Sequence, residues 1–148
     1  LERETKTRLI KHILFLEEEL KDYERFKNLT WEEYNRERDK RRNVERWIEN
    51  IVNSSVDLAK IILALESIPL PETYREMILS LSLVYEFDKS NIEKISEWTR
   101  LRNIIFHEYL DIRWSSIKRF INETETFYKK FLEDVRKYLE KRLLIGSW

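Results

Sequence analysis

The sequence predicts an all-α fold, an up-and-down bundle of about five helices, on three observations. One glycine and two prolines in 148 residues leave almost no turn material. Charged residues make up 38% of the chain and are rich in the Lys, Arg and Glu that favour long helices with solvated faces. Apolar residues recur at spacings of three and four, the period of one helix face. At 42% hydrophobic, and read as one domain over residues 1–148, the chain can bury a substantial core.

The elements follow in order. Leu9, Ile13, Leu16, Leu20 and Tyr23 draw one stripe and predict helix one over 3–27. Thr30, with Glu33 three positions on, matches a capping box and opens helix two, which runs to about residue 67. Its stripe is Val44, Ile48, Ile51, Leu58, Ile62 and Leu65, with Trp47 beside it, and its length predicts a bend. Within it "NRERDKRRN", 35–43, has no apolar residue, and Arg36, Arg38, Lys40, Arg41 and Arg42 outnumber Glu37 and Asp39. This is either a solvated face or a surface for RNA phosphates or a partner. Pro69 and Pro71 break the chain. Helix three is expected over 72–86 with Tyr74, Met77, Ile78, Leu81 and Tyr85 inward. Ser90 with Glu93 forms a second capping box for helix four, which buries Ile92, Ile95, Trp98 and Ile105. Asp111 is the expected N-cap of helix five, with Ile117, Phe120, Phe127, Phe131, Val135 and Tyr138 on its stripe.

Composition narrows function by exclusion. Lysine plus arginine and aspartate plus glutamate number 28 each, so net charge supplies no global pull toward nucleic acid, and any basic surface is local. The absence of cysteine rules out a disulfide scaffold and thiolate metal sites; it fits a reducing compartment, and the cytoplasm is the expected location. No signal-like segment opens the chain, and the apolar run "IILAL", 61–65, is far too short to span a bilayer. Position 104 is Ile and position 9 is Leu, so neither histidine has the Glu-x-x-His spacing of a carboxylate-bridged metal site. Asp at 111 breaks a zincin pattern after His107, and one glycine cannot build a phosphate loop. No metal or other cofactor is expected. His12, beside the stripe of helix one, reads as structural.

One stretch concentrates chemistry: "RNIIFHEY", 102–109. On a helix Asn103 and His107 are four apart and share a face, and the long side chain of Arg102 reaches the same place. Ile105 and Phe106 point elsewhere and anchor the segment. Tyr109 joins the group only if the helix unwinds toward Asp111. Histidine takes and returns protons near neutrality, and arginine offers a planar fork of donors to phosphate oxygens. Together they meet the minimum for metal-independent RNA cleavage: a base removes the proton of a ribose 2′-hydroxyl, which attacks the neighbouring phosphorus, while a guanidinium stabilises the developing charge. A second histidine, from another copy of the chain, would serve as acid. The bland alternative is that both cations simply offset the dipole of a helix C-terminus.

The motif and its flanks resemble the HepT-like toxins of the HEPN superfamily, whose signature is Arg-x-x-x-x-His-x-Tyr. "TWEEY", "RRNVERWIENIVNSSVDLAK", "PETYREMI" and "RNIIFHEYLDI" stand in the order that family shows, so the resemblance covers about residues 8–140. It implies a helical homodimer with two motif copies facing one cleft, acting on RNA as a metal-independent ribonuclease toxin. Arg102 and His107 match its catalytic pair and Asn103 the polar residue after the arginine. Tyr109 matches the tyrosine that an MNT-type nucleotidyltransferase antitoxin adenylylates in some members; bulky anionic AMP there would block the cleft and repel RNA. Asp57, on helix two, matches an acid that would orient Arg102 or His107, with capping or solvation as its plain alternative. The superfamily also contains non-catalytic, nucleotide-binding partners of nucleotidyltransferases, and zero net charge leans toward that second reading.

Overall fold

The computed structural model describes residues 1–146, and among them no strand occurs. The helices are α1 (Arg3–Lys21), α2 (Tyr23–Phe26), α3 (Trp31–Arg36), α4 (Arg38–Leu65), α5 (Tyr74–Ser80), α6 (Lys89–His107) and α7 (Trp114–Gly146). Single 3-10 turns lie at Leu81–Leu83 and Tyr109–Asp111. Side-chain contacts fix the directions of the long helices. Trp47 and Ser54 of α4 bond carbonyls of Glu19 and His12, so α1 and α4 run antiparallel. Trp47 meets Phe120 and Glu66 meets Tyr138, so α4 and α7 run parallel. Asn91 reaches the Phe127 carbonyl and Lys94 reaches Glu123, so α6 opposes α7. The long helices thus alternate up and down around one apolar cluster.

Phe120 is the joint of that cluster. Fully buried, it takes Trp47 edge-on at 5.5 Å and Trp98 edge-on at 5.1 Å. Truncating such a ring to alanine costs about 3–5 kcal/mol. Every position of the stripes expected in helices one, two and five packs against the core, with Tyr23, Leu65 and Phe127 only partly covered.

Several expected boundaries differ from the observed ones. Helix one ends at Lys21 rather than 27 because the Glu19 carbonyl accepts from both the Asp22 N–H (3.1 Å) and the Trp47 indole (2.6 Å), which turns the chain. The Thr30–Glu33 capping box is present in both directions, but the helix it opens breaks at Glu37, whose backbone is extended. The break falls inside the run without apolar residues. There Lys40 pairs with Glu33 and Glu37, and Arg41 pairs with Glu45 over the Tyr34 ring.

Helix three is short: α5 is capped by Thr73 and gives way to a 3-10 turn, after which Val84 is extended. That change of register buries Val84 and Phe87 and leaves Tyr85, expected inward, 91% exposed. α6 is capped by Asp88 rather than Ser90. The Asp88 carboxylate accepts from the Ser90 hydroxyl (2.9 Å) and from the N–H groups of Ser90 (2.9 Å) and Asn91 (3.3 Å), which hold its pKa below the ordinary value. Asp111 caps nothing: it closes the 3-10 turn, and α7 begins at Trp114, whose ring packs on Tyr34 at 5.3 Å. The proline break holds. α4 ends with Ser67 left-handed (φ 55°), the Ser67 N–H on the Ala64 carbonyl and the Ile68 N–H on the Leu63 carbonyl, the two bonds of a Schellman motif.

Candidate active site at the end of α6

The last turns of α6 carry the polar cluster. Arg102 is half-buried and held on several sides. Its Nε donates to Asn53 Oδ1 on α4 at 2.9 Å, and its Nη1 donates to Asn103 Oδ1 at 3.2 Å. The guanidinium carbon lies 4.7 Å from the Phe106 ring centroid and 5.2 Å from that of Tyr74. Neutral oxygens and aromatic faces orient the fork without neutralising it, and its remaining N–H groups stay available to an anion.

His107 is the final residue of α6 and is exposed. Its ring stands edge-on to Phe106 at 4.7 Å. Phe106, expected to anchor the segment from elsewhere, is instead 56% exposed and links His107 to Arg102 by touching both. Ile105 alone supplies the buried anchor. Glu108 leaves helical geometry (φ −127°, ψ 45°), so the helix does unwind before Tyr109. Tyr109 then sits in the 3-10 turn, 64% exposed, without a hydrogen bond or ring contact to His107. Asn103 is exposed and shares the Arg102 fork. Asp57 lies one turn beyond Asn53, half-buried, with its Oδ1 4.0 Å from Lys60 Nζ. The α4 group that touches Arg102 is Asn53.

Asn53 and Tyr74 are the site residues that spacing does not reveal. Tyr74 lies under both Arg102 and Lys60, which is 5.3 Å from its ring. The one available signal was that Asn53 stands four before Asp57 on the same face of α4. Among the described residues no group of three or more His, Asp or Glu side chains is placed to hold a metal ion. None of the described helices is long and apolar enough to cross a membrane. A groove of about 630 Å³ opens beside the site, on the side of α6 that carries Arg100, Ile104 and Glu108; it takes in none of Arg102, Asn103, His107 or Tyr109.

No curated protein matches the sequence. The fold is similar to a solved structure of the tri-AMPylated Shewanella oneidensis HEPN toxin in complex with its MNT antitoxin: the TM-score is 0.77 at 13% identity, over 88% of this chain and 97% of that one. A family model described as ribonuclease HepT-like matches residues 16–135. That match spans most of the chain and the whole cluster from Asn53 to Tyr109, and on it the chain belongs to the ribonuclease HepT-like family.

Proposed function

We propose that this chain is the metal-independent ribonuclease toxin of a toxin-antitoxin pair. The carrying observation is Arg102, oriented by Asn53, Asn103 and two aromatic rings with no carboxylate on it, one helical turn and a ring contact away from an exposed His107. His107 accepts the proton of a ribose 2′-hydroxyl. The 2′-oxygen forms a bond to phosphorus, the bond to the 5′-oxygen breaks, and Arg102 stabilises the charge on the phosphoryl oxygens. The products are a 2′,3′-cyclic phosphate and a free 5′-hydroxyl. The departing 5′-oxygen takes its proton from the His107 of a second copy across a two-fold cleft, a role supported by how openly the half-site stands to solvent.

Tyr109 is the proposed point of control. Its ring is exposed on the turn directly after His107, where an adenylyl group would place negative charge at the mouth of the site. The similarity to a toxin that carries AMP groups and is held by its MNT antitoxin supports a nucleotidyltransferase partner for this chain. Purified protein should cleave RNA in the presence of a chelator and leave cyclic phosphate ends, and His107→Ala should not. Equal cleavage by that variant would overturn the reading. The competing reading, a nucleotide-binding partner without turnover, draws on the zero net charge; it predicts co-purification with the nucleotidyltransferase and no cleavage by either protein.

A further inference from the structure

The 630 Å³ groove beside the motif has the size of a small-ligand site. Arg75 of α5, Arg100 of α6 and Arg113 ahead of α7 reach it from three separate elements, and none of them is in an ion pair. Arg119, also in its wall, is held by Glu97 and Glu123. The Trp98 indole lines the groove too; the residue is 5% exposed and its Nε1–H is buried without an acceptor. A buried, unpartnered donor beside three unpaired guanidiniums calls for a ligand rich in acceptors.

The same groove holds Glu108 and Asp111, carboxylates that also lack an ion pair. Apart from the Arg119–Glu97 pair, both signs share the cavity without neutralising each other, which disfavours a purely anionic ligand and fits one with phosphate at one end and N–H donors at the other. A nucleotide is such a ligand: its phosphate suits the arginines, and base amino groups suit a carboxylate. Glu108 directly follows His107, so the groove adjoins the proposed cleavage point.

Resting on the ribonuclease reading, we infer that this groove is the subsite for an RNA nucleotide flanking the scissile phosphate. Arg75, Arg100 and Arg113 hold the backbone, Trp98 Nε1 donates to an oxygen of the nucleotide, and Glu108 and Asp111 select bases that present amino donors.

The test measures binding of a labelled single-stranded oligoribonucleotide in a His107→Ala background, so that the RNA survives. Arg100→Gln/Arg113→Gln should weaken binding about tenfold and reduce the steepness of the log–log salt dependence by about 1.4, two phosphate contacts' worth. Trp98→Phe, which keeps the ring and loses the N–H, and Arg75→Gln, tested separately, should each weaken it several-fold. Asp111→Asn should flatten the preference among oligonucleotides that differ at one position beside the cleavage point. Lys137→Gln, an exposed cation on α7 about 30 Å along the helix from Ser116 in the groove wall, should change nothing. If the wild type cleaves RNA while all groove variants bind it like their parent, the groove inference falls and the nuclease stands. If the parent does not bind RNA and the wild type does not cleave it, the nuclease reading falls and the groove assignment with it.

Discussion

Asn53 Oδ1 accepts a 2.9 Å hydrogen bond from Arg102 Nε and is the link from α4 to the guanidinium proposed to work on RNA. An amide oxygen orients the fork without cancelling its charge, as a carboxylate would. On that footing Asn53 is a positioning residue. Asn53→Ala should lower kcat on RNA about tenfold with little change in KM, and Asn53→Asp, which keeps the acceptor, should recover part of the loss. Arg102→Ala should cost more, on the order of 10²–10³ in kcat. Steady-state kinetics beside a thermal melt checks this, because a merely structural role would move the melt and not the kcat–KM split.

The proposed two-fold cleft makes one inactive copy poisonous. Titrating wild type with His107→Ala under conditions of subunit exchange should depress RNA cleavage below simple dilution. Activity that follows dilution alone would mean that one copy suffices.

The proposed modification at Tyr109 is separable from cleavage. Incubation with a cognate nucleotidyltransferase and ATP should add adenylyl mass to the wild type and none to Tyr109→Phe. Intact-protein mass spectrometry reads the result directly.

Ser67 is a non-glycine residue in left-handed geometry, in a chain whose one glycine is Gly146. The Cβ clash costs roughly 1–2 kcal/mol, offset in part by the greater chain entropy that glycine gives the unfolded state. Ser67→Gly should therefore stabilise the fold by about 0.5–1 kcal/mol. Urea unfolding should show a higher midpoint at unchanged slope.

Asp88 gives acid sensitivity a location. Its pKa lies below the ordinary 3.8, chiefly through the Ser90 hydroxyl and then the Asn91 N–H. A lowered carboxyl pKa contributes stability above the ordinary value and loses it as pH falls through the folded value. Asp88→Ala should be less stable than wild type at neutral pH, and the gap should narrow as pH drops below about 3.8, the ordinary value. Urea midpoints across that range decide it.

Helix periodicity and capping are local properties, and so spacing alone reveals the stripes from Leu9 to Leu20 and from Ile117 to Tyr138, the Thr30 box and the break at Pro69. The grouping of Arg102, Asn103 and His107 at one helix end is legible for the same reason, since residues one and four apart on a helix are neighbours by construction. Other features depend on what comes from far away in the chain. Helix one stops at Lys21 because an indole 28 positions beyond Glu19 takes its carbonyl. Tyr85 turns outward because the core has room for Val84 and Phe87 in its place. Asn53 meets Arg102 across 49 positions, and only the packing of α6 on α4 brings them within a hydrogen bond. Short-range order thus resides in the residues themselves, while the partners of Arg102 and the open stance of His107 were decided by how whole helices pack, which no local pattern encodes.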